Sequence, residues 1–197
     1  MSFADLFFLY FFLPLCLIAY ALAKKLSAKN TVLIVFSLIF YAWGEPVWVL
    51  LLLFSSVFNW FIGLQIDKHR EKQGAKVAVA TGIAVNIALL LVFKYTTPFF
   101  QNVNAIFGAG LAVPQVALPL GISFYTFKAI SYILDCYWET VQVQKHYPKF
   151  LLYLSLFPHV ISGPIVRYST IENEIDNRTT TLEDVWEGSL RIIIGLA

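Results

Sequence analysis

The sequence predicts an all-α protein: a polytopic bundle of transmembrane helices with one re-entrant or broken segment. Three observations carry this. Hydrophobic residues make up 59% of the chain and charged ones 13%, with a mean hydropathy of +0.72, whereas a soluble domain carries about 25% charged residues. The apolar residues fall in runs long enough to cross a hydrocarbon core about 30 Å thick. The charges fall between those runs. A net charge of +2 with no basic cluster among aromatics points away from nucleic acid and leaves the lipid bilayer as the evident partner.

The first run, Phe3 to Ala23, suffices for a crossing. It ends in "ALAKK", which offers an A-x-A cleavage pattern. No Lys or Arg precedes it and Asp5 does, so it reads as a retained helix. Ser27 to Asn30 is a polar break with N-cap residues. Thr31 to Trp43 is a second run, short unless its flanks join in. In "WGEP", Gly44 suits the end of one helix and Pro46 the first turn of the next. Val47 to Ile66 is a full-length span, and Trp43, Trp48 and Trp60 lie near run ends, as interfacial aromatics do.

"DKHREKQGAK", Asp67 to Lys76, is the clearest loop, and Val77 to Phe93 the fourth span. Tyr95 to Gln115, with Pro98, Gly108, Gly110 and Pro114, reads as an interfacial helix and a turn-rich loop. The next apolar stretch, "PLGISFYTFKAISYILD", begins at Pro119 and gives way to polar sequence after Trp138. Phe150 to Ser162 is apolar but interrupted by Pro158, Gly163 and Pro164. It reads as a re-entrant or half-crossing segment, tolerated only when packed inside protein. Thr180 with Glu183, or Thr181 with Asp184, makes a capping box for a last helix, Leu182 to Ala197. That helix stops in the apolar "RIIIGLA", which predicts a fragment.

Loop charges predict the orientation. Lys24, Lys25 and Lys29 fill the first loop, and Lys68, Arg70, Lys72 and Lys76 the third. Glu45 is the charge of the second, and Tyr95 to Leu118 has none. The positive-inside rule then places loops one and three, with Lys145 and Lys149, in the cytoplasm and the N-terminus outside. Cys16 and Cys136, each in an apolar run, read as reduced, buried thiols. His69, His146 and His159 share no metal-ligand spacing with them.

On a helix, Lys128, Ser131, Tyr132 and Asp135 fall within about 100° of one another. Phe127, Ile130, Ile133 and Leu134 take the far side. A charge at a helix centre costs about 2.5–3.5 kcal/mol on insertion scales, so that face must meet protein or a wet cavity. Two readings stay open: Lys128 and Asp135 pair, directly or through water, or they line a path for a polar substrate. In "FPHVISGPIVRY", Pro158 and Pro164 interrupt the helix and free carbonyls that need partners. His159 lacks a paired carboxylate in the sequence and reads as structural. Arg167 reads as an interfacial anchor.

These stretches resemble the membrane-bound O-acyltransferase family, in particular its bacterial branch that acetylates alginate or transfers D-alanine to lipoteichoic acid. The segments that carry the resemblance are "FFLPLCLIAYALAKK", "NTVLIVFSLIFYAWGEPVWVLLLLFSSVFNWFIGLQID", "LPLGISFYTFKAISYILDCY" and "LFPHVISGPIVRY". It implies that residues 1–197 form one transmembrane domain, the N-terminal part of a longer family domain. It also implies an enzyme in the inner membrane of a bacterium. Such an enzyme moves an acyl group, acetyl foremost, from a cytoplasmic thioester (acyl-CoA or acyl-carrier protein) to hydroxyls of an extracellular polysaccharide or cell-wall polymer. A secreted or membrane-anchored esterase-like transferase is an implied partner, and no bound cofactor or metal is implied.

The resemblance places the family's catalytic histidine beyond the matching residues. No catalytic residue is therefore expected here, and the chain alone is expected to be inactive. Ser123, Tyr125, Lys128, Ser131, Tyr132, Asp135, His159, Ser162 and Arg167 are the candidates for a substrate tunnel. At Lys128 the resemblance leads one to expect glutamine. The alternatives are a non-catalytic truncated remnant and a transporter or channel-like subunit. A single break motif with no internal repeat speaks against the transporter.

Overall fold

The computed structural model of the chain describes residues 5–70, 72–108, 110–161 and 163–196, with the side chains of Leu182 and Leu196 excepted. Every regular element among them is helical. A π-helical turn, Phe8–Phe12, runs directly into α1 (Leu13–Leu22), where Pro14 follows the turn and brings no N–H to the ladder. Then come α2 (Leu26–Gly44) and α3 (Val49–Lys68). Gly44 is the last residue of α2, and Glu45–Trp48 makes the turn. α4 (Gln73–Leu90) continues through a second π-helical turn, Leu91–Tyr95, into α5 (Thr96–Phe107).

The fourth span and the interfacial helix are thus one helix of 35 residues, bent at the π turn. Three helices among the described residues, α2, α3 and this long one, are long and apolar enough to cross a membrane. The first run forms a shorter apolar helix, Phe8–Leu22.

α6 (Ile122–Tyr137) packs on α3 and α4, with α7 (Tyr147–Ser155) wedged against α2 and α3. At 16 residues α6 is about 24 Å long. Its apolar far side is largely covered by protein. Ile133 is fully buried among Ile62 and Ile66 of α3, and Phe127, 48% exposed, is the one residue of α6 with an open side chain. Two close approaches set this packing. Tyr132 lies against Gly63, where a Cβ would stand 2.9 Å from its ring. Ile133 lies against Gly82 in the same way at 2.7 Å. Between α3 and α4, the buried amides of Asn59 and Asn86 exchange hydrogen bonds at 2.6 and 3.3 Å. Polar groups of this kind tie helices together where lipid offers no partner.

α7 ends at Ser155, Leu156 breaks the helix, and α8 (Phe157–Val160) follows as a single turn. Beyond it, Ile161 and residues 163–167 return without regular structure to α9 (Tyr168–Asn177). Both ends of this excursion lie near the basic loops. Asn30 of α2 donates to Ile175 O, and Lys149 pairs with Asp176 at 2.6 Å. Its tip reaches the start of α6, where a Cβ on Gly121 would stand 2.2 Å from Val160 O. The segment is therefore a broken helix that turns back within the bundle, with Phe150 to Ser155 all buried inside protein.

α10 (Leu182–Leu196) touches no other helix among the described residues. Of the two capping boxes the sequence allows, the chain uses Thr181 with Asp184. The Thr181 amide donates to Asp184 at 2.8 Å, and the Asp184 amide donates back to Thr181 Oγ1 at 3.2 Å. The Thr181 donors hold the Asp184 carboxyl below the usual carboxylate range.

The charged loops collect at one end. Arg70 of the third loop pairs with Glu139 after α6 at 3.2 Å, and Ser27 of α2 faces His146 and Lys149 across a cavity of about 490 Å³. The other end holds Glu45 and the uncharged loop, which Tyr41 ties by donating to Leu120 O at 2.8 Å.

Candidate functional site

The broken segment sets the chemistry of the interior. In an unbroken helix Tyr153 O would accept from the amide of Phe157, and Leu154 O from that of residue 158. Pro158 has no N–H, and the Phe157 amide turns to Ser37 Oγ of α2 at 3.1 Å. Tyr153 O is left facing α6, and Lys128 Nζ donates to it at 2.5 Å. The same ammonium stands 4.5 Å over the Tyr153 ring, whose hydroxyl donates back toward Lys128 O and Val166 O, each at 3.2 Å. Lys128 is 0% exposed. A cation at the C-terminus of α7 also meets the negative end of the helix dipole. The amine therefore closes the break from one side as Ser37 does from the other.

Lys128 and Asp135 do not pair directly. Asp135, 4% exposed, accepts from Ser131 Oγ at 3.4 Å, and no cation pairs with it among the described residues. Tyr132 is fully buried, and its hydroxyl accepts from the Gln144 amide at 3.0 Å. Gln144 in turn donates to the Tyr168 hydroxyl at 2.9 Å, and its main-chain oxygen accepts from Trp60 Nε1 at 2.9 Å. Trp60, half-buried, is thus tied to the loop after α6. Tyr132, Phe150, Tyr153 and Tyr168 form one aromatic group, with ring centroids between 4.7 and 6.4 Å apart. α9 lies beside it, and there burial raises the Glu172 carboxyl above its ordinary value.

The remaining candidates spread outward. Tyr125 is buried, and its hydroxyl has no hydrogen-bond partner among the described residues. Ser123 is half-buried at the first turn of α6. His159, half-buried on α8, has a shielded and unpartnered Nδ1, and Gly163 crosses so close that a Cβ there would stand 2.6 Å from His159 Cα. Arg167 is exposed just before α9. Ser162 lies outside the described residues.

Tyr125, Lys128, Tyr132 and Asp135 are thus brought together as one buried wall, with Ser123, Ser131 and His159 at its edges and Arg167 apart. Ser37, Gln144 and Tyr153 complete the constellation. Nothing in the sequence near them signals that role, because their partners lie 120, 12 and 25 residues away. Among the described residues no three His, Cys, Asp or Glu side chains are grouped to hold a metal ion. Cys16 and Cys136 are buried free thiols.

Comparison with known proteins gives relatives along the whole chain. It is 35% identical over 200 residues to the probable alginate O-acetylase AlgI of Azotobacter vinelandii, covering 99% of this chain and 40% of that protein. It is 30% identical over 191 residues to a peptidoglycan O-acetyltransferase of Helicobacter pylori, covering 82% and 36%. It is 31% identical over 123 residues to a teichoic acid D-alanyltransferase of Lacticaseibacillus rhamnosus, covering 61% and 27%. The chain thus spans about two-fifths of the length of its most similar relatives. No family model and no solved structure matches it.

Proposed function

The chain belongs to the membrane-bound O-acyltransferase family, matching some two-fifths of its longer members, and from that premise we propose that it builds one wall of an acyl-transfer passage through the inner membrane of a bacterium. The reaction moves an acyl group from a cytoplasmic thioester, acyl-CoA or acyl-carrier protein, to a hydroxyl of an extracellular polysaccharide or cell-wall polymer. One observation carries this reading. Relatives named for three different polymers, alginate, peptidoglycan and teichoic acid, are all named for acyl transfer. Acetyl is favoured over D-alanyl because the O-acetylase covers 99% of this chain and the D-alanyltransferase 61%.

The residues in hand hold and shape rather than react. Thioester and acceptor start on opposite sides of the membrane, so they must meet in a space shielded from lipid. The polar face of α6 looks into protein, which suits the wall of such a space. Lys128 and Ser37 satisfy the backbone groups freed at the break between α7 and α8, and the hydroxyls of Ser123 and Ser131 stand at the edges of the polar face of α6. A general base is assigned outside these residues, because no partner orients His159 Nδ1 among the described residues. The orientation that fits puts the basic loop end inside, beside the donor, with the N-terminus outside. A secreted or membrane-anchored esterase-like transferase fits as the carrier to the final polymer.

The direct test supplies purified Met1–Ala197 with labelled acetyl-CoA and a soluble polysaccharide. No label should reach the polymer from this chain alone. Transfer by it would place the base within these residues and overturn the assignment of roles.

A further inference from the structure

The end of α9 carries cations that acyl transfer does not use. Arg178, which follows α9, donates Nε to the Tyr20 hydroxyl of α1 at 2.7 Å and Nη1 to Glu174 O at 3.3 Å. Its guanidinium lies 5.3 Å from the Tyr20 ring centroid, and Lys29 Nζ of α2 stands 4.8 Å over the same ring. The Thr180 hydroxyl is 3.4 Å from that of Tyr20. No carboxylate pairs with either cation among the described residues. Glu174, the acid one turn back, offers Arg178 only its main-chain oxygen. Arg178 Nη2 is shielded from water with no acceptor.

Two cations share one ring here, and one of them holds a desolvated donor with nothing to bond. Such an arrangement is costly alone and is relieved by an anion. A planar guanidinium bonded to one hydroxyl and near a second, with an ammonium over the same ring, offers the several donors that phosphate oxygens take. Lys24 and Lys25, exposed in the turn between α1 and α2, add to the local positive potential. The site lies where the apolar α1 ends, beside the basic turn that follows it.

We propose that Tyr20, Lys29, Arg178 and Thr180 form a phosphate-binding site. Its ligand is a phosphate ester, supplied either by the headgroup of an anionic phospholipid or by a soluble phosphate compound. The site stands whether or not the acyl-transfer reading holds.

The test compares the wild-type chain with Arg178→Gln, Lys29→Gln and, as a control for general surface charge, Lys24→Gln/Lys25→Gln. In one arm, native mass spectrometry counts dioleoylphosphatidylglycerol retained against dioleoylphosphatidylcholine. In the other, inorganic phosphate is titrated into the chain in neutral detergent, and binding is read by calorimetry. Each site variant should weaken binding of the true source about fivefold, and the control should weaken it less. A loss confined to the lipid arm assigns the headgroup. A loss in the phosphate arm assigns a soluble phosphate. Site variants that match the wild type in both arms, or a control that loses as much as they do, overturn the proposal. Circular dichroism checks folding, and Lys29→Gln, at the open edge, keeps the test readable if Arg178→Gln fails to fold.

Discussion

Replacing Lys128 with methionine tests how the broken segment is held. Methionine keeps most of the stem volume and removes the ammonium. Tyr153 O then loses its 2.5 Å donor, and the Tyr153 ring loses the cation 4.5 Å above it. A hydrogen bond to a charged group is worth about 1.5–3 kcal/mol, and a buried carbonyl left without a donor costs about 1–3 kcal/mol. A desolvated cation–π contact adds roughly 2 kcal/mol. Against these stands the relief of no longer burying an ammonium, an effective several kcal/mol. These overlap rather than add, and the expected net loss is about 2 kcal/mol.

The assay is equilibrium unfolding in mixed detergent micelles, followed by circular dichroism and tryptophan fluorescence. Lys128→Gln keeps a neutral donor for the same carbonyl, so it should lose less than about 1 kcal/mol. In an active enzyme containing this chain, Lys128→Leu should lower activity per folded molecule more than it lowers yield, because the break loosens before the bundle does. A Lys128→Met chain as stable as the wild type would refute the reasoning, for Tyr153 O would then have another partner.

Other outcomes follow from the same geometry. Gly121→Ala should destabilise by more than ~3 kcal/mol or displace α8, because residue 121 holds φ +73 and its new Cβ would meet Val160 O at 2.2 Å. Unfolding midpoints and proteolysis at Ile161 would read this. Asn59→Leu and Asn86→Leu should each cost roughly 0.6–1.7 kcal/mol, and the double variant less than their sum. Strict additivity in that double-mutant cycle would deny the amide pair. With Cys16 and Cys136 replaced by alanine, a cysteine introduced at Lys68 should react with an impermeant maleimide only in inverted vesicles, and one at Gln115 only in right-side-out cells. The reverse pattern would place the N-terminus inside.

Much of the architecture was legible because lipid imposes a simple rule on apolar runs and on where bases sit. The runs at 31–43 and 77–93 fall within α2 and the long α4–α5 helix, and the run at 47–66 overlaps α3, which starts two residues later at Val49. Pro158 and Gly163 disclosed the broken segment, since a missing amide interrupts the helical ladder. Hydropathy could not show that α6 is enclosed on nearly all sides. Ile133 reads by period as part of the apolar side opposite Lys128, and the missing side chain at Gly82 lets α4 close over it. The polar face of Lys128 was legible as buried, but its partner was not. The freed carbonyl that takes the amine belongs to Tyr153, 25 residues on, and helical periodicity has no reach across that distance. Asp135 lay on the same face and turned instead to Ser131, one turn before it.

Ester-linked acetate in the cell's extracellular polymers tests the proposed role most directly. Mild alkali releases it, and its content is compared among wild-type cells, a strain lacking the gene and the complemented strain. If the chain serves acyl transfer across the membrane, base-labile acyl groups fall in the deletion strain and return on complementation, but not with the Lys128→Leu variant. Equal acyl content in all strains would contradict it.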